Sequence, residues 1–439
     1  MKLSRQIHVF LLTIATTIPS SSVAQSMRRL AITHVNVVDV VNGRVVPNST
    51  VVINGDTISS VTQDSSSSGA RVLDGQGKFL IPGLWDMHAH MEATGESSLQ
   101  LYVANGVTGL RDMGSALDFI LGLRKATASG RTLGPRIFAA GPILDDAPGD
   151  WPFRIRVRTA EDGRTAVQML KRRGVDLIKV HDHTPSAAFF AIAEEARRQN
   201  LPLAGHVPMG LTVQQVIDAG QGDIEHLDNL RLWAPCPGPG YPGPEACRPL
   251  FEMLARRGVW QGPTLAAMSE LATIGTPASE ISADHIAYAS KALKSMWAGN
   301  QSLFATPEVI RQLRSGAAVG AIVTSDMAKA GVGILAGCDA MVPGFCVHDE
   351  LAAMVRGGMT PLSALQTATL NPAKYFHMQN SFGTVESGKR ADLVLLDANP
   401  MIDIGNVARI RAVIVSGRLL ERKDLDDLLM HVKAAVGQP

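Results

Sequence analysis

The sequence predicts an α/β chain: a TIM-like (β/α)8 barrel with a small β-sandwich that the N- and C-terminal flanks build together. Three observations predict it. Short apolar runs alternate with helical stretches through the middle of the chain. Strand-rich segments punctuated by turn residues lie on both sides of that middle. The length of 439 residues has room for a barrel of ~250 residues plus an accessory unit. The expected divisions are a signal peptide over 1–24, the first part of the sandwich over 25–81, the barrel over 82–372, and the second part of the sandwich with a terminal helix over 373–439.

The first segment reads as an export signal. Lys2 and Arg5 give a positive start, an apolar run follows from Val9 to Ile18, and Ser22-Val23-Ala24 offers small residues at both positions that a signal peptidase reads. The cut is placed after Ala24. The apolar run is shorter than the ~20 residues of a spanning helix, and no other segment qualifies. An uncleaved anchor is the alternative. The mature chain is expected to lack a membrane span and to be exported, either periplasmic or secreted.

From Leu30 to Leu80 the pattern is β. Ile32, Val35, Val37 and Val38 lead into Val45-Val46, then Thr50–Ile53, then Thr57–Val61. Asn42-Gly43, Asn54-Gly55-Asp56 and Asp74–Gly77 separate these runs, and Asn54-Gly55 is a hairpin signal. From Pro82 onward the strand candidates are Leu84–His90, Gly106–Arg111, Arg136–Ala140, Val175–Val180, Leu201–His206, Asp223–His226, Val259–Leu265 and Ile334–Asp339. Helical stretches such as Ala160–Arg173, Ser186–Gln199 and Thr212–Ala219 lie between them. An open doubly wound sheet is the alternative, weakened because no glycine-rich phosphate fingerprint follows the first strand. After Thr369 β character returns in Gly383–Val385, Ala391–Asp397, Ile410–Val415 and Gly417–Leu420, and Asp424–Ala435 reads as a helix.

Composition excludes several function classes. The formal charge of +1 lacks the basic surplus of a nucleic-acid binder. Hydrophobic residues at 46% rule out predominant disorder, and aromatics at 5% argue against a stacking platform. The expected partner is a small-molecule substrate, and the sequence is compatible with a homo-oligomer. An exported chain can form disulfides. Cys236 and Cys247 flank a Pro/Gly-rich loop that a bridge would staple. Four cysteines allow three pairings, and a buried free thiol at Cys338 is an equal alternative.

The strongest local feature is Pro82-Gly83-Leu84-Trp85-Asp86-Met87-His88-Ala89-His90. Strand residues two apart face the same way, so His88 and His90 present two imidazoles to one point. That point is the strand end where barrel enzymes place catalytic groups. The donors suit a divalent transition metal, zinc above others. His-x-His alone is a weak signal. Lys179, His206, His226 and Asp339 strengthen it, because each ends an apolar run that would open on the same face. Lysine is costly to bury as a cation, and carbamylation by carbon dioxide would turn Lys179 into a metal-bridging anion. The residue-by-residue alternatives are a snorkelling or salt-bridged Lys179, hydrogen-bonded core histidines at His206 and His226, and a helix N-cap at Asp339.

These residues resemble a family. Ile81–His90 looks like the metal-binding signature of the amidohydrolase superfamily. Gly205-His206-Val207-Pro208, Ile224-Glu225-His226 and Ala336-Gly337-Cys338-Asp339-Ala340 continue the match, as do Thr367–Ala373 and Gly383–Leu393. The resemblance covers nearly the whole mature chain and is nearest the imidazolonepropionase-like and prolidase-like branch. It implies a distorted (β/α)8 barrel with a β-sandwich. It further implies that His88, His90 and Asp339 bind the more buried of two divalent ions, His206 and His226 bind the second, and carboxylated Lys179 bridges them. The lysine sets the pattern apart from one-metal deaminases of the same superfamily. Cys338 departs from the pattern, where a small hydroxyl residue or Gly is expected.

The charges then imply a mechanism. Two cations sharing one water would hold it as a metal-bridging hydroxide near neutral pH. Attack on a polarised carbonyl follows, with Asp339 as the proton shuttle to the leaving amine. The expected activity is cleavage of an amide C–N bond in dipeptides or N-acyl amino acids. A lactonase, esterase or cyclic-amide hydrolase on the same site is the alternative, and a catalytically silent scaffold is a third reading. His181 and His183, in a histidine-rich loop after Lys179, are candidates for a substrate carboxylate or an extra metal. Trp233 and Tyr241 are candidates for an apolar subsite, and His348 for a helix-start residue near the active face.

Overall fold

The structure, a computed structural model, describes residues 29–64, 68–148, 153–227, 236, 241–270, 273–274, 276, 279–304, 306–339 and 341–437. The expected export segment with Ala24, and the candidate Trp233, lie outside the described residues.

Five strands come first: β1 (Arg29–Asp39), β2 (Arg44–Asn54), β3 (Thr57–Thr62), β4 (Arg71–Asp74) and β5 (Phe79–Pro82). Ten short strands follow: β6 (Leu84–Ala89), β7 (Val107–Asp112), β8 (Arg136–Ala139), β9 (Ile143–Asp145), β10 (Arg154–Arg156), β11 (Ile178–Val180), β12 (Leu203–Gly205), β13 (Asp223–Glu225), β14 (Trp260–Gly262) and β15 (Gly333–Ile334). Three more close the chain: β16 (Leu393–Leu396), β17 (Ile410–Val415) and β18 (Arg418–Glu421).

The two flanks meet in one eight-stranded sheet, in the order β18-β17-β16-β5-β1-β2-β3 with β4 beside β1. The joint is the antiparallel pairing of β16 with β5, in register Leu393↔Pro82 to Leu396↔Phe79. Alternation along β16 explains why this strand sits in the middle. Leu393 and Leu395 enter a small core with Ile32, Ile53 and Leu80, while Val394 and Leu396 enter the large core of the central region. Both faces of β16 are therefore dry, which its uninterrupted apolar sequence requires.

The central strands pair in parallel as β6-β7-β8, β10-β9-β11-β12 and β13-β14-β15. Backbone bonds run between these sheets. Asp176 N–H donates to Ala139 O, Gly222 N–H to Leu203 O, and Met87 N–H to Ala336 O. An isolated parallel bridge joins Ala89 and Asp339. Helices fill the intervals as their sequences dictate. In Ala160–Arg173 the Thr159 side chain caps the Asp162 N–H while Asp162 caps Thr159 in return, and Ala166, Val167 and Leu170 form the buried stripe.

Several expectations are corrected. The strands before His206 and His226 are three residues long rather than six and four, and β15 covers only Gly333–Ile334 of the expected Ile334–Asp339. Gly383–Val385 lies outside any strand. The sequence does not predict β9 and β10, since Arg-Ile-Arg and a three-residue strand carry no alternation to read. Cys338 is no free thiol: the disulfides are Cys236–Cys247 and Cys338–Cys346. Among the described residues no helix is long and apolar enough to cross a membrane.

Candidate metal centre

The end of β6 delivers the two expected imidazoles. His88 Nε2 lies 4.0 Å and His90 Nε2 3.3 Å from Asp339 Oδ1. The pairing of β6 with β7 breaks register between Asp86 and Ala89, so the strand is bent where the two histidines converge. Gly337 must be glycine here, because a Cβ would stand 2.6 Å from His88 Cβ. Asp86 Oδ1 accepts both the His88 N–H (3.1 Å) and the Cys338 N–H (3.0 Å), tying the two ligand-bearing chain ends together.

The donor atoms of His88, His226 and Asp339 all lie within 4.8 Å of one another. The His226 ring is 4.7 Å from that of His88 and 4.8 Å from that of His206. Lys179 is the middle residue of β11 and is 1% exposed. The structure thus brings His88, His90, His206, His226, Lys179 and Asp339 into one region. His226, Thr264 and Asp339 adopt left-handed backbone conformations, with φ of 63°, 48° and 53°. Such conformations in non-glycine residues cost about 1–3 kcal/mol each and gather at functional sites.

In each histidine Nδ1 faces a partner within the protein. His88 Nδ1 pairs with Glu225 Oε2 at 2.6 Å, His90 Nδ1 with Gly114 O at 3.1 Å, and His226 Nδ1 with Thr264 Oγ1 at 2.6 Å. His206 Nδ1 lies 3.4 Å from Asp182 Oδ2. His88 Nε2 and Lys179 Nζ are buried with no hydrogen-bond partner among the described residues. Burial, then the nearby Lys179 charge, holds His88 well below its ordinary pKa, and burial pulls His226 down to about 3. Burial lowers the Lys179 amine too, favouring its neutral form. Burial opposes the Asp339 carboxylate, but the His90 hydrogen bond and the surrounding imidazoles outweigh it and hold Asp339 well below the usual range. Imidazoles held low at His88, His206 and His226, an ionised carboxylate at Asp339 and orphaned nitrogens at His88 and Lys179 suit a divalent ion. Against burial, Asp339 raises His90 instead, as an anion beside an imidazole does, and the donor set fits an ion that would take that place.

Sequence reasoning missed the layer beneath. Arg111, at the end of β7, is fully buried and pairs with both Asp223 and Glu225, while its Nε donates to Met87 O at 2.5 Å. Arg111 also lies over the Tyr375 ring, 5.0 Å from its centre. Gly262 leaves room for this, since a side chain there would collide with the Glu225 carboxylate. The signal was legible: Asp223-Ile224-Glu225 places two acids in a strand otherwise expected to be apolar. Glu350 is fully buried as well and accepts the Leu265 and Ala266 N–H groups at 3.0 and 2.8 Å.

The substrate candidates divide. His181 lies against His206 with ring centres 3.9 Å apart and the rings tilted by 30°, and burial pulls it down to about 4. The donor atoms of Asp145, His181 and His183 also lie within 4.8 Å of one another, and the Asp145 carboxylate accepts the His183 N–H at 2.9 Å. Tyr241 gives its hydroxyl to Asp326 at 2.8 Å and packs against the large core. His348 pairs its Nε2 with Asn105 O at 3.0 Å.

The Amidohydrolase family matches this chain over residues 79–420. The chain is similar to ochratoxinase of Aspergillus niger, 26% identical over 389 residues that cover 74% of this chain and 71% of that protein. Among solved structures it is similar to a putative prolidase from Bifidobacterium longum, with 26% identity, a TM-score of 0.71, and coverage of 92% of this chain and 99% of that one. It is also similar in fold to a bottromycin amidohydrolase, with a TM-score of 0.75 at 21% identity, covering 95% of this chain and 94% of that one.

Proposed function

The chain belongs to the amidohydrolase family, and from that premise we propose that it is a binuclear metal-dependent hydrolase cleaving an amide C–N bond of dipeptides or N-acyl amino acids. The observation that carries this reading is the convergence of His88, His226 and Asp339 within 4.8 Å, with the buried Lys179 amine unpartnered within reach of their charges. Likeness to proteins named ochratoxinase and putative prolidase supports the amide-bond class. The bonds bridging the three parallel sheets support a (β/α)8 barrel over 82–372, with the flanks 25–81 and 373–439 as the accessory β unit. The leading segment supports export to the periplasm or beyond.

His88, His90 and Asp339 would hold the deeper ion, His206 and His226 the second, and Lys179 would lie between. Carbamylation would join the Lys179 amine, in its unprotonated form, to carbon dioxide through an N–C bond with loss of one proton, giving an anion that two cations would favour. Bound there, two divalent ions, zinc by the donor chemistry, would supply a water of lowered pKa and polarise the scissile carbonyl. Glu225, itself fixed by Arg111, holds the His88 ring through Nδ1 and leaves Nε2 available to an ion that would bind there. Thr264 does the same for His226. The Asp339 carboxylate, kept ionised by its imidazole neighbours, takes a proton from the attacking water and returns it to the leaving nitrogen.

The test is metal analysis of purified protein, with a substrate screen of dipeptides, acyl amino acids, lactones and esters. Two ions per chain and turnover of the first two classes are expected. A chain that takes up no divalent metal sinks the reading, and turnover confined to lactones or esters moves the reaction to ester chemistry.

A further inference from the structure

Two of the ligand candidates sit in strained loops, and both loops lead to one helix. Asp339 follows Cys338, whose sulfur is bonded to Cys346 in the first turn of the Phe345–Arg356 helix. His226 Nδ1 pairs with Thr264 Oγ1, and Thr264 immediately precedes the Leu265–Glu270 helix. The first two N–H groups of that helix are held by Glu350, which also lies on Phe345–Arg356. Cys346 and Glu350 are four residues apart and therefore share one face of their helix. Cys338 and Cys346 are each 1% exposed and Glu350 is fully buried.

We propose that the Phe345–Arg356 helix is a positioning bar that sets the spacing between Asp339 and His226, gripping one loop through Cys346 and the other through Glu350. The inference rests on the metal-site reading above. Left-handed φ values at Asp339, Thr264 and His226 persist only where the surroundings over-determine them. The disulfide supplies that restraint covalently on one side. Two hydrogen bonds to the buried Glu350 carboxyl group supply it on the other. Asp86 reinforces the first grip, since its oxygen lies within 4.8 Å of both sulfurs and accepts the Cys338 N–H. Neither Cys346 nor Glu350 is a catalytic residue. Each acts through a ligand that it places.

The experiment compares zinc affinity, by competition with a chelator, and the visible spectrum of the cobalt(II)-loaded protein. The set is wild type, Cys338→Ser/Cys346→Ser, Glu350→Gln, and Cys236→Ser/Cys247→Ser as control. The first double variant and Glu350→Gln are expected to bind one of two ions about 10–100-fold more weakly, with an altered cobalt spectrum, while the control matches wild type. A melting curve establishes that each variant is folded. Should a variant fail to fold, wild type treated with a dithiol serves instead. Cys338 and Cys346 take up two electrons and two protons as the dithiol becomes a disulfide, and one ion should be lost and regained on reoxidation. Wild type holding two ions beside folded variants of unchanged affinity and spectrum overturns the positioning bar alone. Wild type holding none overturns the site reading, and the bar with it.

Discussion

The two halves of the proposed metal centre are supported by different physics. His88 is oriented by a charge: the Glu225 carboxylate takes its Nδ1–H and is held in turn by Arg111, which also pairs with Asp223, all four groups being essentially without solvent. His226 is oriented by the neutral hydroxyl of Thr264, and His206 faces the partly exposed Asp182 at 3.4 Å. A carboxylate behind a histidine raises its basicity as a ligand, and a hydroxyl does so less. The deeper half should therefore bind its ion more tightly, and the outer half should be the one that exchanges ions with solvent.

The largest expected effect removes the group proposed to be common to both halves. Lys179→Ala should abolish turnover and reduce bound metal to about one ion per chain or less, measured by elemental analysis. A short carboxylic acid added to that variant should restore part of the activity by standing in for the lost anion. Full activity in Lys179→Ala would erase the bridge and the comparison with it. Next comes Arg111→Met, which strands two buried acids. Breaking a buried ion pair by deleting one partner costs about 3–5 kcal/mol, to be read from urea unfolding. A loss below about 1 kcal/mol would mean that Asp223 and Glu225 do not depend on the guanidinium.

A sharper cut sets the halves against each other. Glu225→Gln keeps the shape but removes the charge behind His88, whereas Thr264→Val removes a neutral partner behind His226. Affinity for the deeper ion should fall about 10–100-fold in the first, and the second should weaken the outer ion by less, about tenfold or under. Chelator competition resolves the two steps. Equal losses in both variants would show that charge behind the ligand does not distinguish the halves.

The contrast also explains what could be read in advance. That His88, His90, Lys179, His206, His226 and Asp339 gather in one region is legible in the sequence because each is a polar residue at or near the end of an apolar run, a placement that costs free energy unless something uses it. The supports were harder. Arg111 ends its run in the same way but has no metal-ligand chemistry to flag it, and its partners lie more than one hundred positions away. Thr264 and Glu350 carry no local pattern, since a threonine after a strand and a glutamate in a helix are ordinary. The sequence overstates strand length for a related reason. Apolar content continues past the last ladder bond wherever the chain stays buried, as at Leu335 and Ala336, which are dry but outside β15. Cys338 was ambiguous because pairing depends on loop geometry, which the sequence does not carry.

The smallest expected effect concerns acid–base stability at the foot of the outer half. Burial pushes the Glu350 carboxyl up to about 8, against an ordinary value of 4.5. Between those values the folded chain keeps a proton that the unfolded chain has lost. The unfolded state then binds fewer protons, so stability falls as pH rises. Glu350 thus contributes stability that is complete below pH 4.5 and lost as pH rises through about 8. Glu350→Gln cannot titrate, so its melting temperature should fall less steeply than that of wild type from pH 5 to 8, and the two curves should converge toward alkaline pH. Parallel curves across that range would mean that Glu350 is already ionised at pH 5, with the Leu265 and Ala266 N–H groups sufficient to hold the charge. The grip on the Thr264 loop would then be electrostatic, like that on His88, and the difference between the two halves would lie in the histidine partners alone.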